Sequence, residues 1–314
     1  MAEFIRSSNM VWLTRWVQKR LKPSIPLFFL LLPALAYIII FDYLPMYGVQ
    51  IAFKDYSPIR GIIGSPWVGF KYFFKFFDSS QFWDLIKNTI SINLYQLIAG
   101  FPLPILLALL LNYCVFPKFK RTVQMVTYAP HFISVMVLVG MVNIFLSPYN
   151  GVVNMVIKFF TESTVHFLAK PELFQSIFVW SGIWQNVGWG SIIYIGALAS
   201  ISPELHEAGV VDGASKLQRV WHIDIPGILP TIIMMLILNF GSLMNLGFQK
   251  IYLMQNDAVL GVAEVISTYV YKVGLGRSMY SYASAIGLFN NIINIILLLI
   301  ANKIAKKYSE TSIL

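Results

Sequence analysis

The sequence predicts an all-α integral membrane protein of six transmembrane helices, with a cytoplasmic helix–turn–helix hairpin between spans four and five. Three observations carry this expectation. Only 12% of the 314 residues are charged and 57% are hydrophobic, whereas soluble domains carry roughly a quarter charged residues, so too few charges remain to coat a water-exposed surface. The charges are also bunched, leaving six windows free of Asp, Glu, Lys and Arg: 23–41, 88–117, 122–157, 173–203, 225–249 and 278–302. Finally, the segment between the fourth and fifth windows is punctuated as two short helices, where a plain connector needs only a few polar residues.

Each window offers the roughly 20 apolar residues that cross the hydrocarbon. Backbone amides in lipid must be satisfied inside the segment, which selects helices; barrel strands would instead alternate over about ten residues. A basic segment, 1–22, comes first. In it Trp12, Leu13, Trp16 and Val17 stand among Arg15, Lys19 and Arg20, as in a helix lying in the interface. No small-x-small cleavage site follows, so the first span, 25–41, is expected to stay in place. An aromatic outside loop runs from Asp42 to Lys87, with Phe76–Lys87 as a short interfacial helix. The second span, 88–113, contains Pro102 and Pro104, which remove amide donors and should kink it. The third, 123–146, stops at the turn signal Ser147–Gly151. Spans four and five, 173–199 and 226–248, flank a hairpin at 202–225. The sixth is 279–302, so the six-span domain covers 23–303 and a tail covers 304–314.

Thirteen cationic residues fall in the N-terminal segment, the loop of Lys118, Lys120 and Arg121, the hairpin and the tail, against 10 in much longer loops on the other side. By the positive-inside rule both termini of this multi-pass membrane protein are cytoplasmic. These basic collars beside anionic headgroups account for the net charge of +9 without any nucleic-acid partner.

Several chemistries are missing. There is no phosphate-binding G-x-x-x-x-G-K-[ST], and Gly188-Trp-Gly190 breaks off before completing a dinucleotide fingerprint. His131, His166, His206 and His222 have no metal-ligand spacing, and Cys114 has no partner for a disulfide. Apart from His131, near the start of the third span, no acid or base falls inside a span. Ion-driven transporters normally need one.

The segment Ile201–Pro230 is the most informative. Ser202-Pro203-Glu204 reads as a helix start, with a capping hydroxyl, proline in the first turn and an acid at the dipole's positive end. Asp212-Gly213 ends that helix, and a second, Ala214–Ile223, leads to Ile225-Pro226. The hairpin presents Leu205, Ala208, Gly209, Leu217, Val220 and Trp221, a surface suited to docking a soluble partner.

These residues resemble the coupling motif of permease subunits of binding-protein-dependent ABC importers, written EAA, three residues, G, nine residues, I-x-L-P. Here Glu207-Ala208-Gly209 is followed at the same spacings by Gly213 and by Ile223-Asp224-Ile225-Pro226. Gly209 replaces an alanine and Ile225 a leucine. Asp212-Gly213-Ala214 matches the DGA common in sugar permeases. LLPALAYIIIFDYLPMYGVQIAFKDYSP and SPWVGFKYF resemble the oligosaccharide and polysaccharide branch, which is similar to the larger maltose-permease subunit without its extracytoplasmic insert. The resemblance implies a second related permease, two cytoplasmic ATPases and an extracytoplasmic solute-binding protein as partners. It places Glu207 in a cleft of the ATPase, and leaves ATP and magnesium to that subunit, with no catalysis, cofactor or metal in this chain.

A sugar pathway needs aromatic faces for the rings and amides or hydroxyls for their substituents. Span four offers Gln185, Asn186, Trp189 and Tyr194; span five offers Asn239, Ser242, Asn245 and Gln249. Helical spacing puts each set along one stripe, and maltose-type permeases place substrate contacts on these two spans. Amides in membrane helices also serve as interhelical glue. A permease for a non-sugar solute and a secondary transporter are the competing readings.

Overall fold

The computed structural model describes residues 25–161 and 163–308; the basic segment 1–22, with its expected interfacial helix, and residues 309–314 of the tail lie outside the described residues. The chain divides into two compact units, Met1–Gly69 and Phe70–Leu314.

In the first unit, α1 (Ile25–Ile38) does not stop near residue 41 but continues with altered pitch through Ile39–Tyr43, Leu44–Met46 and Tyr47–Phe53. Pro45 falls in the first turn after Tyr43, where proline costs little. Asp42 is therefore inside a helical run, not at the start of a loop. Beyond it, Lys54 and Trp67 form an isolated antiparallel bridge. The Lys54 ammonium donates to the Ile62 carbonyl at 2.7 Å and lies 4.8 Å from the centre of the Trp67 ring, so this stretch is a pinned turn.

Among the described residues, every regular element of the second unit is helical. In order it contains α2 (Lys71–Phe77), α3 (Phe82–Gly100), α4 (Pro102–Asn112), α5 (Pro117–Tyr128), α6 (Val135–Phe145), α7 (Val152–Thr161), α8 (Pro171–Ala199), α9 (Pro203–Val211), α10 (Lys216–Arg219), α11 (Ile225–Gly241), α12 (Phe248–Met254), α13 (Leu260–Ala263), α14 (Ile266–Tyr271) and α15 (Tyr280–Tyr308). At its centre stands α8, packed on α3, α4, α5 and α11, while α15 packs on α11, α14 and α2. Gly188 lets α8 press on α5: a Cβ there would stand 2.1 Å from the Thr127 carbonyl oxygen. One core joins Ile92, Val139, Phe178 and Ile251; a second joins Phe76, Leu85, Ile266 and Ile286; a third joins Leu109, Tyr194, Leu198 and Ile228.

Among the described residues, four helical runs are long and apolar enough to cross a membrane: Phe28–Phe53, Phe82–Asn112, Lys216–Gly241 and Tyr280–Lys306. A fifth is reached if Pro117–Phe132 and Val135–Phe145 count as one span. At 29 residues α8 is long enough, but Gln185, Asn186 and its indoles and glycines dilute its apolar character.

Several helix ends differ from the expected span boundaries. The third span is not one straight helix but a pair bent by 103°, because Pro130 interrupts the amide ladder and Ser134 caps a new helix by accepting from the Val137 amide. The helix carrying the expected second span already starts at Phe82, and the expected interfacial helix Phe76–Lys87 is split by a turn in which the Ser79 hydroxyl donates to the Phe76 carbonyl. The fifth runs on from the hairpin without a break, since Lys216–Gly241 is one helical run that changes pitch at Val220–Asp224. It ends at Gly241, seven residues short of the expected 248. The sixth runs from Tyr280 to Tyr308.

Candidate functional site

Two features of the second unit stand out, a polar cavity and the capped hairpin. The cavity has a volume of about 440 Å³, within the range of small-molecule sites. Helices α3, α4, α8 and α11, with the segment after α11, enclose it, and Asn93, Gln96, Gln185, Asn186, Tyr194, Asn239, Ser242, Asn245 and Lys250 line it. Six of the eight candidate pathway residues therefore meet around one space. Trp189 and Gln249 lie outside its lining. Trp189 instead stacks on the His131 ring at the bend of the third span, with centroids 4.5 Å apart and planes at 3°. The end of α11 at Gly241 separates Asn245 and Gln249 from the stripe expected on the fifth span; Gln249 belongs to α12.

The amides differ in what they have left to offer. Gln185 is buried and donates to the Ile133 carbonyl at 2.8 Å, which anchors α8 to the strand-like break between α5 and α6. Asn186 donates to the Gly182 carbonyl, and its Oδ1 lies 3.0 Å from His131 Nδ1. Asn239, which lines the cavity, donates to the Met235 carbonyl one turn back at 2.7 Å. Asn245 Oδ1 accepts from Asn290 at 3.1 Å.

Lys250, Asn93 and Gln96 were not anticipated. Asn93 and Gln96 lie one turn apart in the second span, and the spacing argument applied to span four would have found them. Lys250 sits one residue beyond the charge-free window 225–249, where the sequence reads as a loop charge; only the fold shows that it is buried.

The hairpin is built by its caps. Ser202 Oγ accepts from the Glu204 amide at the start of α9. At its end the Gly213 amide bonds to the Val210 carbonyl and the Ala214 amide to the Gly209 carbonyl, a Schellman motif closed by Gly213 at φ +76°. Ser215 and Gln218 then form a reciprocal capping box, with the Ser215 amide donating to Gln218 Oε1 at 2.7 Å. The second arm therefore begins at Lys216, not at Ala214, and has no end of its own before the fifth span; Ile223 and Pro226 lie inside one helical run. Glu207, Ala208 and Asp212 are exposed, as are Leu205, Val210, Leu217 and Trp221, with Val211 87% accessible. Gly209 and Val220 are half-buried between the arms. The exposed apolar side chains, rimmed by charge, make a patch of the kind that a partner covers.

Asp224, an unconstrained position within the I-x-L-P element, is fully buried. The Tyr113 hydroxyl donates to its Oδ2 at 2.6 Å, and His206 Nε2 stands 3.3 Å from its Oδ1, close but without hydrogen-bond alignment. The Arg219 guanidinium lies 5.8 Å from the Tyr113 ring centre. Burial, then the Asp224 bond, pushes the Tyr113 phenol up to about 12, so it remains a donor. Both arms of the hairpin are thereby tied to the turn that follows the second span.

No group of three His, Cys, Asp or Glu residues that could hold a metal ion occurs among the described residues.

Residues 90–309 match the family described as binding-protein-dependent transport system inner membrane component, and the chain belongs to that family, a membrane component and not an ATPase. It is 44% identical over 284 residues to the protein LplB of Bacillus subtilis (strain 168), covering 90% of this chain and 89% of the relative. It is 41% identical to the polygalacturonan/rhamnogalacturonan transport system permease protein YteP of the same organism, covering 91% and 89%. Its fold matches a chain of a bacterial ABC transporter involved in the import of the acidic polysaccharide alginate, with TM-score 0.86, 39% identity and coverage of 93% and 98%.

Proposed function

We propose that this inner-membrane transport component crosses the membrane six times, α8 and the bent pair included, and forms half of the pathway of an ATP-driven importer of oligosaccharides or polysaccharides. The observation that carries the reading is the doubly capped hairpin, which holds Glu207 beside exposed Leu205, Val211, Leu217 and Trp221 on an element continuous with the fifth span. A soluble partner that moves this hairpin moves a helix lining the cavity. That partner is an ATPase, in two copies, which holds ATP and magnesium. A second related permease supplies the other half of the pathway, and a solute-binding protein delivers the sugar from outside. Both termini and the hairpin lie in the cytoplasm.

The cargo reading rests on the amide and hydroxyl lining of the cavity, which suits sugar hydroxyls, and on the polysaccharide transport named for relatives across 89% or more of their length. A pathway for a hydrophobic or simple ionic solute would not need six amides converging on one space. The test is uptake into proteoliposomes holding the whole complex: oligosaccharide accumulates only with ATP and the binding protein, and the purified chain alone hydrolyses none. ATP hydrolysis by the single chain, or uptake without the ATPases, would refute the reading.

A further inference from the structure

We infer that Lys250 makes this pathway selective for oligosaccharides bearing carboxylates, by pairing its ammonium with a uronate as the sugar passes. The inference rests on the oligosaccharide reading above and deepens it. Lys250 is the one charged side chain among those lining the cavity, and it is only 9% exposed. Its Nζ donates to the Phe178 carbonyl at 2.6 Å and lies 4.6 Å from the centre of the Phe178 ring. No carboxylate pairs with it among the described residues.

An ammonium has three N–H donors, and one carbonyl and one ring face leave two donors without an acceptor and the cationic form without a counter-ion, so that burial favours the neutral amine until an anion arrives. Burying such a charge is costly unless an anion accompanies it. A tether between α12 and α8 would not need the charge, since a neutral amide could donate to the same carbonyl. The site is also shaped for the amine: a Cβ at Gly182 would stand 2.9 Å from Nζ, so the glycine on α8 leaves room for it.

Around it the groups sort by chemistry. Asn93, Asn186, Asn239 and Asn245 offer donors and acceptors for ring hydroxyls, and Lys250 offers the one charge-assisted bond that a carboxylate would take. A single cation also suits transit, because a pathway must bind strongly enough to admit and weakly enough to release.

The experiment uses the whole transporter in proteoliposomes with two probes: tetragalacturonate, and the same tetramer with its carboxyls reduced to alcohols. The readout is the ratio of their uptake rates, which cancels differences in expression. The unmodified complex is expected to prefer tetragalacturonate. Lys250→Gln keeps a donor for Phe178 but removes the charge, and should lower the ratio about tenfold or more, the usual worth of a charged hydrogen bond. Lys250→Arg should keep most of the preference. An unchanged ratio in Lys250→Gln would make the lysine a tether and overturn the inference. Uptake of only the reduced probe by the unmodified complex would also overturn it while leaving the sugar reading intact, and uptake of neither would bring down both. Should Lys250→Gln not assemble, Lys250→Met carries the same comparison, and an unchanged ratio there overturns the inference.

Discussion

The cavity and the hairpin belong to the same unit and treat polarity in opposite ways. In the cavity, polar side chains converge in a largely apolar helical body, and many of their hydrogen bonds run to backbone carbonyls nearby, as from Gln185 to Ile133 and from Asn239 to Met235. On the hairpin, apolar side chains are displayed outward while the polar groups, Asp224, Tyr113 and His206, are drawn inward as the support. The difference fits the proposed division between a cavity for a small polar ligand and a surface for a protein. It also means that the two regions should fail differently when mutated.

The largest effect is expected at the hairpin. Glu207→Lys reverses a charge in the contact surface, where mismatched charges cost several kcal/mol, and should abolish both ATPase co-purification and uptake. Gly213→Val forces a β-branched residue into φ +76°, at a cost of about 1–2 kcal/mol or more, and should loosen the hairpin with a smaller but measurable loss of ATPase retention. Normal retention in both would reduce the hairpin to a connector.

Next comes the support. Asp224→Ala leaves the Tyr113 hydroxyl without its acceptor and should destabilise the docked hairpin by about 1–3 kcal/mol, read as a lower unfolding temperature of the complex. Tyr113→Phe removes only the donor and should cost less. Equal stability of Asp224→Ala and the parent would show that the buried carboxylate holds nothing in place.

In the cavity, Asn239→Ala should reduce uptake with little change in thermal stability, whereas Gln185→Ala should reduce stability, since its amide is spent on the break after α5. Trp189→Ala loses the stack on His131, a contact of about 0.5–1.5 kcal/mol, and is expected to act on stability before transport. The smallest effect is expected for Gly209→Ala. A Cβ there would meet Ile223 at 3.3 Å and the Arg219 stem at 3.4 Å, all movable side-chain atoms, so a mild loss of hairpin stability by hydrogen exchange is the expected result.

The hairpin was legible in the sequence because its determinants are local. Ser202, Pro203, Gly213 and Ser215 act through caps within a few residues of themselves, so spacing alone placed the first arm and the turn. Where the second arm merges into the fifth span there is no cap to read, and Ile225-Pro226 suggested a break that the continuous helix does not make. The cavity was half legible. Periodicity put Gln185, Asn186 and Tyr194 on one helix and Asn239 on another, but their meeting with Asn93, Gln96 and Lys250 depends on contacts between residues far apart in the chain. The 103° bend of the third span hid for a related reason: Pro130 was visible, but an apolar window on either side of it reads the same whether the helix continues or turns.

The most direct test sets one variant from each region side by side. Glu207→Lys and Asn239→Ala would be carried through the same purification and reconstitution, scoring ATPase retention and oligosaccharide uptake together. Separate roles require Glu207→Lys to lose retention and uptake, and Asn239→Ala to keep retention while uptake falls. If both variants lose the ATPase, or both keep it and transport normally, the division between a ligand-facing cavity and a partner-facing hairpin is wrong.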